Sequence, residues 1–191
     1  EKHKRVFITG LGSISALGYG AQEAWESMLQ GNSRIRVKSD WLNPKIKPQY
    51  FGEAVDVAFE EEVKWNERFT PQLYSRLGIL ACKKALEDAG IVLEPSDNEI
   101  GLIIETSLGA TAAVEDYLYD LYQHGLAKIS PMKFTKTVAN TVLGDISRTF
   151  RLNGPSSLIY NSNSISYGID LIRKGVTDMV ICGGVDHYTE Y

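Results

Sequence analysis

Short apolar segments alternate with helical patterns along this chain, and this alternation constrains its fold more than any other feature. The apolar segments that predict strands are residues 6–8, 100–104, 158–160 and 178–182. The amphipathic segments that predict helices are residues 21–30, 70–90, 110–122, 136–150 and 165–174. Apolar strands joined by helices are typical of a mostly parallel sheet with helices on both faces. The sequence therefore predicts an α/β fold.

The clearest helix boundaries are those of residues 70–90. Thr70 is a suitable N-cap, Pro71 suits the first helical position, and Gly90 is a typical helix end. The preceding residues, 32–69, show no consistent periodicity. We predict that they form a long excursion over the surface.

Net charge and hydropathy exclude several classes of partner. The chain carries a net charge of -4 and has a pI of about 5.4, so it would repel a phosphate backbone and no nucleic-acid partner is expected. Its apolar segments are much shorter than the roughly 18 residues that a membrane span needs, and its N-terminus does not resemble a signal peptide. We expect a cytoplasmic protein with no membrane partner.

The cysteines and histidines do not form a metal-ligand pattern. Cys82 and Cys182 both lie in apolar segments, which predicts buried free thiols rather than a zinc site or a disulfide. The histidines are His3, His124 and His187, and no pair has the spacing of zinc ligands. We therefore expect no metal and no other cofactor.

A glycine turn at Gly10-Leu11-Gly12 follows the first predicted strand and raises the alternative of nucleotide binding. A dinucleotide site needs a third glycine, and an acidic residue at the end of a second strand about 20 residues further on. Both are missing here, so a tight turn with close backbone packing is the favoured interpretation. A nucleotide-binding protein stays as a less favoured hypothesis.

Several motifs, in order along nearly the whole chain, resemble the N-terminal half of the β-ketoacyl synthases. The motifs are Val6-Phe7-Ile8-Thr9-Gly10-Leu11-Gly12, Ala81 to Gly90, Ile100 to Ile104, Ser130-Pro131, Gly154-Pro155-Ser156 and Ile181 to Asp186. The resemblance implies a thiolase-like half, with a mixed, mostly parallel five-stranded sheet covered by helices in the order βαβαβαββ. It also implies one N-terminal-type domain over residues 1–191, with the C-terminal lobe absent.

The resemblance places Asn163 where the synthases carry their nucleophilic cysteine. Known synthases combine that cysteine with two histidines from the other half, and no histidine of this chain follows a matching motif. A carboxamide has no proton that dissociates near neutral pH, so it cannot form the acyl thioester. We therefore predict no catalytic residue in this chain. Asparagine is also a good N-cap for the helix that follows.

Two departures from the family pattern surround this position. Members that lack the cysteine, known as chain-length factors, usually carry glutamine there rather than asparagine. After Asn163-Ser164 the chain is also shorter than the family pattern by roughly one and a half helical turns, at about 3.6 residues per turn. Either the first turn of the helix is lost or residues are missing at this point, and both interpretations stay open.

By resemblance, a set of bulky residues are candidates to line the dimer interface and the acyl tunnel. They are Leu108, Met132, Phe134, Val138, Leu158 and Tyr160. Plain core packing is the alternative. A bulky side chain in the tunnel would limit product length, because overpacking costs about 1–3 kcal/mol.

The favoured hypothesis is a non-catalytic, chain-length-factor-type partner of an active β-ketoacyl-ACP synthase in fatty-acid or polyketide-type biosynthesis. The expected partners are an acyl carrier protein and either an active ketosynthase subunit, in a heterodimer, or a second copy, in a homodimer. The alternative enzyme hypothesis is a divergent β-ketoacyl-ACP synthase or acyltransferase that is seen only in part.

Overall fold

The computed structural model describes residues 4–41, 45–64, 70–94 and 98–189, and the chain divides into two compact units. The first unit comprises Glu1–Ile8, Thr70–Ile79 and Leu93–Tyr188. The second unit comprises Thr9–Phe69, Leu80–Val92 and Thr189–Tyr191.

The helices and strands of the described residues follow one another in a mixed order. The strands are β1 (Ile14–Ser15), β2 (Gly18–Tyr19), β3 (Ile35–Lys38), β4 (Gln49–Gly52), β5 (Gly101–Thr106), β6 (Ser156–Tyr160) and β7 (Val180–Gly184). The helices are α1 (Ala21–Leu29), α2 (Phe59–Glu62), α3 (Leu73–Asp88), α4 (Thr111–His124), α5 (Pro131–Phe134), α6 (Thr141–Phe150) and α7 (Ser164–Arg173), with a 3₁₀ helix at Leu126–Lys128. Within the described ranges no helix combines the length and the apolar character that crossing a bilayer requires.

A parallel sheet in the order β6-β5-β7 forms the centre of the first unit. Ile104 of β5 lies opposite Leu158 of β6, and Ile103 lies opposite Cys182 of β7. Leu102 and Ile103 are 1% and 0% exposed, as expected for a central strand covered on both faces. The predicted α/β fold with a parallel sheet is confirmed, although the sheet has three strands in the described residues where five were expected.

The apolar segment Val6-Phe7-Ile8 is not the buried strand that the sequence predicts. It belongs to no strand in the structure, and Phe7 and Ile8 are 68% and 73% exposed. The guanidinium of Arg5 lies 5.4 Å from the centre of the Phe7 ring. An apolar run forms a strand only where a neighbouring strand pairs with it, and the sequence pattern of the run cannot supply that partner.

Residues 32–41 and 45–64 are mostly exposed, in line with the predicted surface excursion, but they contain regular structure that the sequence did not predict; residues 42–44 and 65–69 of the same prediction lie outside the described residues. β3 and β4 pair as an antiparallel hairpin with Ile35 opposite Gly52 and Val37 opposite Tyr50. β3 alternates apolar and charged residues with the period of two of a strand, and its apolar residues Ile35 and Val37 are 59% and 55% exposed. The short helix α2 follows this hairpin. Strands of four residues are too short to give a clear period in the sequence.

Two helices begin later than their sequence patterns predict. α3 begins at Leu73 rather than at Pro71, and α6 begins at Thr141 rather than at Lys136. Before α6, the hydroxyl of Thr137 donates to the carbonyl of Phe134 at 2.8 Å. Such local hydrogen bonds compete with helical ones. The spacing of Val138, Val142 and Ile146 predicts one apolar face for this helix. Val142 and Ile146 are completely buried, whereas Val138 precedes α6 and is 44% exposed.

Candidate functional site

The N-terminus of α7 is the first element of the candidate site. Asn163 is its N-cap, and the side-chain oxygen of Asn163 accepts the backbone N–H of Ser166 at 2.8 Å. This contact satisfies one of the N–H groups that a helix leaves unpaired at its start. The prediction that Asn163 caps this helix is confirmed. The Asn163 residue is otherwise exposed.

Glu105, at the end of β5, supplies a second cap to the same helix. Its Oε2 atom accepts the backbone N–H of Ser164 at 2.8 Å. A β-carbon added at Gly184 of β7 would lie 3.1 Å from Cγ of Glu105. The glycine therefore leaves the space that the glutamate side chain fills. A carboxylate at a helix N-terminus is stabilised by the helix dipole.

Asp186, just beyond β7, holds the turn that follows β5. Its Oδ1 atom accepts the hydroxyl of Thr106 at 2.6 Å and the backbone N–H of Leu108 at 2.9 Å, and the N–H of Ser107 donates to it at 3.1 Å. The N–H of Gly109 donates to the Thr106 hydroxyl at 2.8 Å. Partial burial raises the pKa of Asp186, but these hydrogen bonds outweigh that effect and leave the pKa below its usual value.

Replacing Asp186 by asparagine is expected to lower the melting temperature at pH 7 by about 2–6 °C. The loss corresponds to about 1–2 kcal/mol, a low value for charge-assisted hydrogen bonds because the carboxylate is partly exposed. The pKa of Asp186 is lower in the folded chain than in the unfolded chain. The carboxylate therefore contributes its full stabilisation at a pH above the unfolded pKa, and this stabilisation is lost as the pH falls towards the folded pKa. Urea unfolding between pH 6 and pH 3 should therefore show the gap between wild type and Asp186→Asn closing in acid. A gap that is constant over this range would contradict this account.

Tyr74 and His187 pack together in the first unit, with their ring centres 5.7 Å apart. Burial is the main reason that the pKa of Tyr74 is raised and that of His187 is lowered. The lowered pKa favours the neutral imidazole. Asp186 opposes this effect at His187, since a nearby negative charge favours the protonated ring.

The interface and tunnel candidates lie mainly on the surface of the described structure. Leu108, Met132, Phe134 and Tyr160 are 55–56% exposed and Val138 is 44% exposed, while Leu158 is half-buried. Exposure of this size argues against plain core packing for the five more exposed members. Their roles in an interface or a tunnel stay predictions.

The structure brings only part of this candidate set together. Leu108 lies just after β5, and Tyr160 is the last residue of the neighbouring strand β6. The two positions are close in space, because a β-carbon added at Gly109 would lie 3.2 Å from the Tyr160 hydroxyl. Met132 and Phe134 lie on α5, where the Phe134 ring packs edge-on against Tyr117 of α4 with their centres 5.7 Å apart. Met132 lines a groove of about 220 Å³ between these helices.

The cysteine thiols are unsuited to nucleophilic chemistry. Cys82 is buried, as predicted, and Cys182 is half-buried. Burial raises the pKa of Cys82 to about 12, and burial together with the charge of Glu105 raises that of Cys182 to about 11. The described residues contain no cluster of histidine, cysteine and carboxylate side chains that could hold a metal ion.

The glycine turn of the second unit is packed against α3. A β-carbon at Gly12 would lie 2.1 Å from the carbonyl oxygen of Ala81, and one at Gly10 would lie 2.3 Å from that of Ala85. The adjoining groove of about 440 Å³ is lined by the carboxylates Glu23, Glu26, Glu87 and Asp88, with Lys84 beside them. These observations favour close packing over nucleotide binding, because the groove would repel phosphate groups.

Glu105, Thr106, Asp186 and Tyr74 are the site residues that sequence reasoning missed. Three of them stand at or just after the carboxyl ends of parallel strands. Polar residues at that edge of an open α/β sheet are a recognised signal for a functional site. Tyr74 gives no such signal, since its burial depends on tertiary packing.

A family model described as "Beta-ketoacyl synthase, N-terminal domain" matches residues 3–191. The chain is 26% identical over 189 residues to 3-oxoacyl-[acyl-carrier-protein] synthase 2 of Synechocystis sp., covering 96% of this chain and 45% of that protein. It is 28% identical over 199 residues to the protein of the same name from Rhizobium meliloti, covering 96% and 47%. The chain therefore spans about half the length of the curated relatives it matches.

Solved structures of the same fold include ketosynthase assemblies. A chain of "The ishigamide ketosynthase/chain length factor" superposes with a TM-score of 0.83 at 22% identity, over 97% of this chain and 48% of that one. A chain of the Xenorhabdus doucetiae ketosynthase ApeO in complex with its chain length factor ApeC superposes with a TM-score of 0.54 at 16% identity, over 88% and 62%. At these identities the likeness shows a shared thiolase-like fold.

Proposed function

Because this chain belongs to the β-ketoacyl synthase family through its N-terminal domain, we propose that it is a non-catalytic, chain-length-factor-type partner of an active β-ketoacyl-ACP synthase. The proposed pathway class is fatty-acid or polyketide-type biosynthesis. The observation that carries the proposal is Asn163 at the N-cap of α7, with its side-chain oxygen bound to the Ser166 N–H. We take this position as that of the family's nucleophile.

A carboxamide in this position supports a structural role. The side-chain oxygen of Asn163 is engaged in capping, and its NH₂ group carries no proton that leaves near neutral pH. A condensing enzyme needs a nucleophile that can carry the acyl group as a thioester. The raised pKa values of Cys82 and Cys182 keep both thiols protonated at neutral pH, so neither is a suitable substitute.

The exposed apolar residues of the first unit support a protein partner. Leu108, Met132, Phe134 and Tyr160 each leave more than half of their surface uncovered. Within the described residues, β6 is also an edge strand with one unpaired side, which is a template for pairing with another chain. The solved ketosynthase–chain length factor complex named above is of the same fold and supports a heterodimer as the proposed assembly.

An acyl carrier protein is the proposed carrier of the growing chain. One solved structure of this fold is described as a type II acyl carrier protein in complex with its ketosynthase. The curated relatives are named for acyl-carrier-protein substrates. The cytoplasm stays the proposed location.

A second candidate function is a divergent β-ketoacyl-ACP synthase or acyltransferase. The chain covers only 45% of its Synechocystis relative, so catalytic residues could be contributed by sequence outside these 191 residues. This enzyme would need a nucleophile other than Asn163.

Incubation with an acyl thioester of acyl carrier protein separates the two candidates. We expect the intact mass of this chain to stay unchanged, while a cysteine-bearing partner synthase in the same tube gains one acyl group. The partner is the positive control, because it shows that the donor is competent. A stoichiometric acyl adduct on this chain would contradict the proposed function and favour the enzyme.

A further inference from the structure

We infer that the carboxylate of Glu105 holds the N-terminus of α7 and that its negative charge disfavours ionisation of any acidic side chain placed at position 163. This makes it a positioning residue, since it acts through the helix terminus. The inference rests on the proposed function only in taking position 163 as that of the family's nucleophile. Its physical content is independent of the partner and of the reaction.

The contact between Glu105 and α7 is short, and it is buried at its α7 end. The carboxylate accepts the Ser164 N–H at 2.8 Å, and Ser164 is 3% exposed. The nitrogen of Ser164 belongs to the peptide bond that joins it to Asn163. The negative charge therefore lies beside the backbone of position 163 itself.

The packing around Glu105 keeps its side chain in place. It extends over Gly184, where a β-carbon would come within 3.4 Å of Oε1. Its own backbone carbonyl accepts the N–H of Val185 at 3.0 Å. The strand and the side chain are thus both fixed at the end of the sheet next to α7.

A helix N-terminus attracts one anion because its first N–H groups point outward and carry the positive end of the dipole. In this chain Glu105 already provides the anion and occupies the Ser164 N–H, while Asn163 occupies that of Ser166. An acidic side chain in place of Asn163 would leave the Ser166 N–H free, but it would find the Ser164 N–H taken and the like charge of Glu105 close by. The charge of Glu105 would therefore oppose the features that lower the pKa of a cysteine at a helix start.

The other titratable groups at this end of the sheet do not offset Glu105. They are Tyr160 on β6, Tyr167 on α7, Cys182 on β7, and Asp186 and His187 beyond β7. Burial favours the neutral form of His187, and Glu105 itself helps to raise the pKa of Cys182. None of these groups is a lysine or an arginine, so none of them supplies a fixed positive charge against Glu105.

A reporter thiol tests this inference without any activity assay. Asn163→Cys is made alone and together with Glu105→Gln, and the alkylation rate by iodoacetamide is measured from pH 6 to pH 11. Peptide mass spectrometry separates the introduced thiol from Cys82 and Cys182. Glutamine keeps an oxygen for the Ser164 N–H, so the pair differs mainly in charge. Glu99→Gln, two residues before the other end of β5, is the matched control.

We expect the single variant to have a thiol pKa above the ordinary value of about 8.5, and the double variant to have one lower by about one unit, with alkylation at pH 7 up to about tenfold faster. The Glu99→Gln control should leave both unchanged. A thiol pKa at or below the ordinary value in Asn163→Cys would overturn the inference even if Glu105→Gln fails to fold. Equal pKa values in the single and double variants would also overturn it. Neither result bears on acyl transfer to the wild-type chain, so the proposed function is tested separately.

Discussion

Replacing Leu158 by proline is expected to weaken assembly of this chain with the proposed partner synthase strongly while leaving the chain itself folded. The residues that flank β6 both bond to β5: the carbonyl of Pro155 accepts the N–H of Leu102, and the N–H of Asn161 donates to the carbonyl of Thr106. In a parallel pair, residues that bond to one neighbour alternate with residues that face the other side. Leu158 is an odd number of residues from both Pro155 and Asn161. Its N–H therefore points away from β5, towards the open edge of the sheet.

Proline at this edge position removes one donor and places a ring where a partner strand would lie. A carbonyl of the partner is then left without its hydrogen bond, at a cost of about 1–3 kcal/mol, and the ring adds steric exclusion. We expect the dissociation constant of the assembly to rise by about 100-fold or more. Sedimentation of the chain mixed with its partner synthase measures this directly.

Two variants serve as controls for Leu158→Pro. Leu158→Ala removes the side chain but keeps the N–H, so it should retain most of the assembly. Ile159→Pro removes an N–H on the side that faces β5 and should destabilise the sheet itself. Normal assembly by a folded Leu158→Pro chain would show that β6 does not pair with the partner.

Replacing Gly12 by alanine is expected to cost about 3 kcal/mol or more of folding free energy. The added β-carbon would meet the Ala81 carbonyl oxygen at 2.1 Å and the Ala85 nitrogen at 2.4 Å. Both are backbone atoms of α3, so no side-chain rotation can relieve the clash. Steric overlap of this kind is among the causes of exceptionally large losses of stability.

Gly144→Ala is the matched control, because the same added methyl group meets no atom within 4 Å there. Gly144 lies inside α6, where alanine is more favourable than glycine by about 0.8–1 kcal/mol. Urea unfolding should therefore show Gly12→Ala strongly destabilised and Gly144→Ala unchanged or stabilised. A mild effect of Gly12→Ala would contradict the close-packing interpretation of the glycine turn.

The sequence predicted best where one helix face or one strand is buried by neighbours on every side. β5 and the face of α6 with Val142 and Ile146 are completely covered, so their apolar pattern reflects their surroundings directly. The segment Val6-Phe7-Ile8 has an equally apolar pattern but stays exposed. Periodicity reports the residues' preference for burial, whereas burial itself depends on a partner element that lies elsewhere in the chain or outside it.

Of the residues around the N-terminus of α7 and the end of β5, the sequence pointed to Asn163 but not to Glu105 or Asp186. Asn163 was found because its position relative to Gly154-Pro155 is fixed by a local motif and because asparagine is a recognised N-cap. Glu105 is 59 residues from Ser164, to which it is hydrogen-bonded, and Asp186 is 78–80 residues from its partners in the turn after β5. Contacts of that separation depend on the strand order β6-β5-β7, which no local pattern specifies.

We propose that this chain assists a synthase without carrying the acyl group. Native mass spectrometry of the chain co-purified with a cysteine-bearing synthase, after exposure to acyl thioester, tests it most directly. We predict a complex with one copy of each protein and a single acyl group, which on dissociation stays with the synthase. An acyl group found on this chain, or a chain that stays alone beside the acylated synthase, would contradict the claim.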